Sequence, residues 1–425
     1  MANYLSFKDK VTFSMVAANE ASLNNKLDEN NLIHVDEELT LLKSAAVYGA
    51  NASGKSNLVK AIHFMRWFVL NSSRETQITD SINVEIFRLS TETENKPSFF
   101  EIVFLEDNRI YRYGFEVNRK QVVSEWLFHV PKIKEFKLFE RKKDKIKINK
   151  GFNEGDSIFS KTRNNALFLS VVAQFNGEIS RKSLFFFDKK LNVLFNRDSE
   201  VYKTYTITYF EKNSSDIIQL IQKLDLGIDN IDVKARKLVS EELPSFPERV
   251  IQLFVNSVIL KSRTHDINTF HEKYDSKGKV VSIEKFDLDR NESDGTQKLF
   301  AFTGPILETL RQGEVLVIDE LDARLHPLIT RTIIDLFNSK ITNTNNAQLI
   351  FMTHDTNLLT DKIFRRDQIW FTEKDRQGAT DLYSLVEYKI DNDDISENDY
   401  IKGRYGAIPF IGDLSQVIKS ENNES

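Results

Sequence analysis

The spacing of apolar positions changes several times along the chain, and each change marks a different kind of element. Residues 4–17 and 39–49 carry short alternating apolar stretches, which predict strands. Residues 53–70 begin at a turn rich in Ser and Gly and then place apolar residues three or four positions apart, which predicts a helix. The N-terminal part is therefore predicted to run from strands through a glycine-containing loop into a helix.

The middle of the chain has two further patterns. From about residue 87 to residue 149, short β-like runs separated by polar turns predict antiparallel hairpins. Residues from about 156 to 262 are predicted to be largely helical, and 215–228 and 247–260 are the clearest amphipathic segments. Nothing there sustains the apolar heptads of a long coiled coil.

After Gly295 the pattern becomes regular. We expect helices over 296–311 and 326–339, and apolar strands in the segments 313–320, 347–355 and 367–373. Apolar strands that alternate with helices are typical of a buried parallel sheet, so both ends of the chain are predicted to form one α/β domain around a long insertion. The predicted boundaries are 1–150 for the N-terminal lobe, 151–280 for a mainly helical insertion and 281–425 for the C-terminal lobe.

Composition narrows the class of protein. The 425 residues are 40% hydrophobic and 28% charged with few Gly and Pro, as in a globular protein. The absence of Cys excludes disulfides, thiolate zinc sites and a cysteine nucleophile, and it fits a reducing cytoplasm. A net charge of −5 argues against a protein that coats nucleic acid. No apolar run approaches the roughly 18 residues of a membrane span, so we expect a cytoplasmic protein without membrane contact.

The glycine-containing loop matches the eight-residue phosphate-binding pattern, in which backbone N–H groups at a helix N-terminus surround phosphate oxygens. Lys55 is expected to contact the β and γ phosphates of ATP, and the Ser56 hydroxyl to bind Mg²⁺. The predicted nucleotide-binding residues are Gly49, Ala50, Asn51, Ala52, Ser53, Gly54, Lys55 and Ser56, with Asn57 at the next position.

A phosphate loop needs a carboxylate at the end of a neighbouring strand, and the apolar residues 315–318 lead into Asp319 and Glu320. We expect Asp319 to position Mg²⁺ and Glu320 to polarise the attacking water. Asp322 follows in the next loop and is predicted to be a further nucleotide-binding residue. His354 ends another apolar strand, where its imidazole is placed to contact the γ-phosphate.

Ser293, Asp294 and Gly295 stand at the start of the helix that precedes the Asp319 strand. The order of these motifs resembles the ATP-binding-cassette ATPases, whose Ser-x-Gly signature at a helix N-terminus binds nucleotide held by the opposite subunit. The resemblance implies that Ser293 and Gly295 act in trans and that the chain forms a homodimer or a higher homo-oligomer. Asp294 departs from the usual small residue, and a carboxylate near phosphate is unfavourable unless it points away.

Within that class, the stretches VYGANASGKSNL, ESDGTQKLFAF, LVIDELDARLHP, FMTHD and YIKGRYGAIPFIG resemble the bacterial "AAA family ATPase" proteins of the abortive-infection L and RloA-like type, akin to the SMC/RecF branch. The resemblance implies an ABC-type ATPase head with a mixed sheet, flanking helices and an antiparallel β lobe. It also implies slow ATP hydrolysis with Mg²⁺ and control of a separately encoded effector, frequently a nuclease, in a defence operon.

Three alternatives remain open. The insertion is too long for a transporter nucleotide-binding subunit. A RecF-like DNA-repair ATPase is closer, because residues 131–150 are basic and contain aromatic residues, which suits a nucleic-acid backbone. Lysines that blunt a sheet edge are twice as common an explanation for such a segment. The third alternative is a scaffold that binds ATP without hydrolysing it.

Three weaker features also have structural explanations. Gln77 is the one early candidate for a glutamine that senses Mg²⁺, although its context is that of a solvated loop. His265, Asp266 and His271 have the side chains of a metal site but lack further carboxylates, so a structural role is favoured. Residues 402–409, with Lys402, Arg404 and Tyr405, fit a partner contact and a plain C-terminal loop equally well.

Overall fold

A six-stranded mixed sheet forms the centre of the molecule. The computed structural model describes residues 1–19, 24–130, 135–195, 199–224, 226–235, 265–360, 362–388 and 395–409. The central strands are β3 (Ser44–Tyr48), β9 (Leu191–Leu194), β13 (Val315–Ile318), β14 (Gln348–Met352), β15 (Ile369–Lys374) and β16 (Thr380–Ser384). They lie in the order β16-β15-β3-β14-β13-β9 and are parallel except for β16 at one edge. Strands from both ends of the chain meet in this sheet, which confirms the predicted fold class.

The N-terminal residues form little regular structure. The strand predicted over 4–17 is wrong, because the described residues there make isolated bridges such as Tyr4 with Phe7. Asn3 and Leu5 adopt left-handed φ angles of 48° and 50°, which turn the backbone out of an extended conformation. The chain then forms α1 (Asn25–Asn31) and the short hairpin of β1 (Leu32–His34) and β2 (Thr40–Leu42).

The predicted hairpins between residues 87 and 149 are confirmed as a five-stranded antiparallel sheet, which we call the β lobe. It packs on the central sheet through α2 (Lys55–Asn71) in a core rich in aromatic side chains, including Phe68 and Phe115. Its strands are β4 (Ser98–Glu106), β5 (Arg109–Val117), β6 (Val122–His129), β7 (Phe136–Lys142) and β8 (Lys145–Ile148).

The segment predicted as the insertion contributes to two sheets. After α3 (Phe168–Gln174) and α4 (Glu178–Phe185), β9 pairs with β13 at the edge of the central sheet. The long helix α5 (Ser199–Lys223) follows and includes part of the predicted amphipathic segment 215–228. It is interrupted at Asn213, so the described residues contain no long coiled coil. The predicted helix 247–260 lies outside the described residues.

A three-stranded antiparallel sheet, which the sequence patterns did not predict, joins the insertion to the C-terminal lobe. It consists of β10 (Asn230–Ala235), β11 (His265–Tyr274) and β12 (Val280–Asp287). A small core beneath it combines Ile231 and Ile267 with Ile217 of α5. The short helix α6 (Leu288–Asn291) then leads to the helices α7 (Asp294–Gln312), α8 (Pro327–Asn338) and α9 (Glu397–Ile401).

Helix α7 packs along α5 at a close crossing. Pro305 lies inside α7 and has no N–H group, so the carbonyl of Ala301, four residues earlier, loses its usual partner. The Thr206 hydroxyl of α5 donates to that carbonyl (2.8 Å) and accepts from the N–H of Gly304 (3.1 Å). The crossing therefore compensates for the proline and fixes α7 against α5. None of the helices in the described part of the chain has the length and apolarity needed to span a bilayer.

Candidate functional site

The glycine-containing loop lies between β3 and α2, at the carboxyl edge of the central sheet. A Cβ atom on Gly49 would lie 2.5 Å from the carbonyl oxygen of Thr372, and one on Gly54 would lie 2.5 Å from the Thr380 hydroxyl. Gly54 also has a φ of +123°, a conformation that L-residues with side chains rarely adopt. Both glycines are therefore required by the loop's own packing as well as by any bound phosphate.

The phosphate loop and the start of α2 are hydrogen-bonded to residues of β15, β16 and the N-terminal segment. The hydroxyls of Ser53 and Thr372 are 2.6 Å apart, and the Thr380 hydroxyl donates to the Ser53 carbonyl (2.7 Å). The Asn57 amide donates to the hydroxyl of Ser6 (2.8 Å). These contacts fix the loop through the protein's own groups. They come from remote parts of the chain and could not be predicted from the phosphate-loop pattern.

Lys55, the first residue of α2, is buried across the loop. Its Nζ donates to the carbonyl oxygens of Gly49 (2.6 Å) and Ala50 (3.0 Å). Burial lowers the pKa of Lys55 to about 8, although the carboxylates of Asp319, Asp322 and Glu320 act against this shift. Lys55 thus lies near carboxylates and carbonyls, and its ammonium group loses a proton more readily than that of an exposed lysine.

Ser56 and Asp319 come together although they are far apart in sequence. The Ser56 hydroxyl donates to Asp319 Oδ1 (3.1 Å), and the Asp319 N–H donates to the Leu194 carbonyl of β9 (2.9 Å). Burial raises the pKa of Asp319, while the hydrogen bond from Ser56 and the charge of Lys55 lower it. A hydroxyl and a carboxylate at the edge of a phosphate-binding loop are the protein oxygen ligands that suit Mg²⁺, so these residues fit the predicted metal.

The loop that follows β13 brings the predicted Asp322 to the end of β14. The backbone N–H of His354 donates to Asp322 Oδ2 (3.2 Å). Desolvation and the nearby charge of Lys55 lower the pKa of His354, which favours the neutral ring. Glu320 lies two residues before Asp322 in the same loop, and its backbone has a left-handed φ of 54°. The charges of the three predicted carboxylates act on Lys55, and the charge of Lys55 acts on His354, so the four predicted residues of this edge lie near the lysine.

The predicted signature lies at the start of α7. Ser293 is its N-cap, and its hydroxyl accepts from the N–H of Thr296 (3.2 Å). A Cβ atom on Gly295 would lie 2.5 Å from the carbonyl oxygen of Arg324, so this glycine permits close packing on the loop after β13. The Asp294 carboxylate forms an ion pair with Arg324 (3.0 Å). That pair accounts for the unexpected acidic residue, because Arg324 neutralises its charge.

A cleft of about 560 Å³ connects the phosphate-loop edge of the sheet with the start of α7 in the same chain. It runs from Ser56 and Asp319 to the first turns of α5 and α7. It is lined by Ser56, Lys60, Phe195, Ser199, Glu200, Lys203, Asp289, Asp294, Gln297, Lys298, Ala301, Asp319, Glu320 and Arg324.

Gln77 is not brought to this cleft. It follows α2, whose 17 residues span about 25 Å, so the helix separates Gln77 from Ser56. Its N–H donates to the Asp80 carboxylate in an exposed turn (2.7 Å). The chain segment beside Asp319 is instead the end of β9, since Leu194 accepts its N–H and Phe195 lines the cleft. The interpretation of Gln77 as a solvated loop residue is therefore favoured.

The other features considered from sequence have local partners. His271 contacts Glu292 (2.8 Å) and the Gly227 carbonyl (2.7 Å), and His265 lies 3.9 Å from Glu211. Among the residues that the structure describes, no group of three or more His, Asp or Glu side chains is placed to hold a metal ion. Tyr405 is buried against Phe371, as expected for a C-terminal loop that packs on the core.

The basic segment 131–150 forms β7 and the edge strand β8, while its first residues lie outside the described part. Arg141 is buried and donates to the carbonyls of Ala166 (2.7 Å) and Arg163 (3.1 Å), and Lys137 pairs with Glu140 (2.6 Å). Lys145 and Lys147 alternate with isoleucines along the exposed edge. This arrangement favours lysines that blunt a sheet edge.

Comparison with known proteins identifies the family of the chain. It matches the family described as "AAA domain, putative AbiEii toxin, Type IV TA system" over residues 44–360. No curated protein matches it significantly. Among solved structures, it is similar to the SMC head domain from Thermotoga maritima, at 12% identity and a TM-score of 0.37, over 83% of this chain and 93% of that chain. The family match covers well over half of the chain, so the chain belongs to this AAA-domain family.

Proposed function

We propose that this member of the AAA-domain family is an ATP-hydrolysing switch in which two copies close around bound nucleotide. The observation that carries the proposal is the contact between Ser56 and Asp319 at 3.1 Å, beside the phosphate loop. That pair holds the metal in phosphate-loop ATPases, and Glu320 follows at the next position, where a carboxylate can orient a water molecule.

Each residue of the site has a distinct task in this proposal. Backbone N–H groups of the loop bind the phosphates, and the Lys55 ammonium exchanges the Gly49 and Ala50 carbonyls for phosphate oxygens. Ser56 and Asp319 hold Mg²⁺, which neutralises phosphate charge when bound. Glu320 orients the attacking water, and the ring of His354 donates a hydrogen bond to the γ-phosphate.

The second half of the site comes from another subunit. Ser293 and Asp294 are exposed at the N-terminus of α7, where the helix dipole favours an anion. In a two-fold dimer, each chain contributes its phosphate loop to one nucleotide and its Ser293 and Gly295 to the other. A complete site then exists only in the closed dimer, so hydrolysis is expected to be slow.

Two variants test this function together. Glu320→Gln removes the carboxylate that orients water, so we expect phosphate release to fall at least tenfold while ATP binding and ATP-driven dimerisation persist. Ser293→Arg places a large side chain at the start of α7, so dimerisation and hydrolysis are lost while a single subunit still binds ATP.

Light scattering with and without ATP measures dimerisation, and a phosphate assay measures turnover. Equal phosphate release by wild type and Glu320→Gln sinks the hydrolytic proposal and favours an ATP-binding scaffold. ATP-driven dimers of Ser293→Arg sink the trans arrangement.

We further propose that the switch controls a separately encoded effector, such as a nuclease, in an anti-phage operon of the abortive-infection type. The family description refers to a toxin of a type IV toxin–antitoxin system, which supports this setting. Glu320→Gln with ATP should hold the closed state and retain the product of a flanking gene on an affinity column. Retention that is independent of ATP contradicts the proposal. ATP-dependent DNA binding without a partner, lost at high salt, favours the RecF-like alternative.

A further inference from the structure

The loop from Glu320 to Arg324 is attached to the first turns of α7 at three points. Asp294 pairs with Arg324, and Gly295 packs so closely that a methyl group would meet the Arg324 carbonyl at 2.5 Å. The third point is Lys298, one helical turn further along. Its Nζ donates to the carbonyl oxygens of Glu320 (2.8 Å), Leu321 (3.3 Å) and Ala323 (2.8 Å).

Lys298 is an unusual residue for its position. Only 5% of it is exposed, and the next residues of α7, Leu299 and Phe300, are core residues. Burying an ammonium group is unfavourable unless its N–H groups are paired. All three of its donors are used by the three carbonyls, which is the full capacity of a lysine. An apolar residue would fill the same space, so the structure requires another reason for a lysine there.

The conformation of the loop supplies that reason. Glu320 and Arg324 both have left-handed φ angles, 54° and 65°, which are uncommon for residues with side chains. Such a backbone persists where the surrounding structure holds it. Lys298 binds the loop between these two residues, so it fixes the peptide that carries the Glu320 side chain.

We propose that Lys298 is a positioning residue that couples the two nucleotides of the dimer. This inference rests on the proposed function, in which Ser293 and Glu320 of one chain serve different nucleotides. When the nucleotide of the partner engages α7, Lys298 transmits the shift of the helix to the 320–323 loop. Glu320 then takes its position at the nucleotide of its own chain, and hydrolysis at one site depends on occupancy of the other.

Lys298→Met keeps the length of the side chain and removes its donors. The expected result is a split: the KM for ATP and ATP-driven dimerisation stay within threefold of wild type, while kcat falls at least tenfold. Lys298→Arg restores donors and charge and should recover part of the lost kcat. Loss of packing alone would not be repaired by the larger arginine.

Lys43→Met is the matched control. Lys43 is 2% exposed, and it precedes β3 at the end of the strand opposite the phosphate loop. We expect its kcat to stay within twofold of wild type. A Lys298→Met protein with wild-type kcat overturns the proposal, as does one that fails to dimerise like Ser293→Arg. Failure of the proposed function is seen separately, because wild type itself would then lack ATP-driven dimers or Glu320-dependent hydrolysis.

A mixed dimer of one Ser293→Arg chain and one wild-type chain tests the coupling directly. It retains one complete site, formed by the phosphate loop and Glu320 of the variant chain and the signature of the wild-type chain. Independent sites predict half of the wild-type rate, and this result overturns the proposal. Coupling predicts less than one tenth, because α7 of the variant chain has no nucleotide to engage. A different affinity tag on each chain purifies the mixed dimer away from wild-type homodimers, and light scattering confirms that it stays dimeric under the assay conditions.

Discussion

The two halves of the nucleotide site differ in how they are supported. The phosphate loop is enclosed, with Ser53 and Lys55 buried and with Thr372 and Thr380 behind it. The signature is presented at the surface, with Ser293 exposed and its contacts directed back toward its own helix. In the proposed dimer, the first half is preorganised to bind nucleotide within a single chain, whereas the second half is an exposed surface that contacts the nucleotide of the other subunit.

The glycines of the two halves illustrate this difference. Gly54 combines a φ of +123° with a wall formed by Thr380, so both its conformation and its space exclude a side chain. Gly295 begins a helix, and its constraint is the single close approach to Arg324. Gly54 maintains the conformation of the phosphate loop, and Gly295 allows α7 to pack closely on the loop that contains Arg324.

Alanine substitutions at these two glycines should give the largest difference between the two halves, because one lowers ATP affinity and the other lowers the rate of hydrolysis. Gly54→Ala forces the loop away from Thr380, so we expect Mg-ATP affinity of a single subunit to fall about 100-fold, or about 2.7 kcal/mol. Gly295→Ala displaces α7 from Arg324 and should leave that affinity within about twofold while hydrolysis falls about tenfold, the size of a moderate loss of positioning. Calorimetric titration with ATP and a phosphate assay measure the two quantities.

Gly278→Ala is the matched control. Gly278 has a positive φ of 76° but nothing within 4 Å of a Cβ atom, so it tests strain without crowding. We expect it to cost about 1 kcal/mol of stability and to leave ATP affinity unchanged. If Gly54→Ala binds ATP as well as Gly278→Ala, the phosphate loop does not depend on its packing against β16, and the contrast between the halves fails.

The pH dependence of ATP binding gives a smaller effect that belongs to the phosphate-loop half alone. Burial lowers the pKa of Lys55 to about 8 in the free protein, and a bound polyphosphate raises it by charge. Below pH 8 the lysine is already protonated and affinity is constant. Above pH 8 binding must take up a proton, so affinity should fall by up to about tenfold per pH unit.

The measurement is ATP affinity between pH 7 and pH 9.5 on Ser293→Arg, which keeps the second half out of the equilibrium. Lys55→Arg in the same background is the control, because a guanidinium stays charged over this range. Lys298, whose pKa burial also lowers to about 8, titrates in both proteins and cancels from the comparison. If the profile keeps the same slope after the Lys55→Arg substitution, Lys55 is not the titrating group.

The sequence was sufficient for the parts of this site that depend on short-range pattern. Lys55 and Ser56 follow from a local motif, and Asp319 and Glu320 follow from an apolar strand that ends in carboxylates. Parallel strands bring such ends to one edge of a sheet, which is why residues 263 positions apart could be expected to meet. The strand β3, all five residues of which are buried, could likewise be predicted from its run of mostly apolar residues.

Features that depend on long-range packing were not predictable. The role of Thr380 behind the loop depends on β16 returning antiparallel to β15, and no local pattern shows that contact. The strand predicted over residues 4–17 does not form, and the left-handed turns at Asn3 and Leu5 give no sequence signal because such residues commonly adopt extended backbone. Lys298 had a visible signal, a lysine directly before an apolar run, but its partners lie on a loop whose conformation only the fold determines.

Asp294 provides the smallest test, on the signature half. It pairs with Arg324 while 68% and 63% of the two side chains are exposed, and exposed pairs contribute at most about 1 kcal/mol to stability. Asp294→Asn removes a negative charge from the start of α7, where the nucleotide phosphate lies in the proposed dimer, so ATP-driven dimerisation should strengthen about twofold at low salt and return to wild type at high salt. Arg324→Gln leaves that carboxylate unneutralised and should weaken dimerisation by a similar factor. Light scattering at two salt concentrations distinguishes these signs. Each substitution breaks the same contact. Weaker dimerisation of both variants would therefore mean that the pair acts by holding α7 on the loop, and that its effect on the charge near the phosphate is smaller.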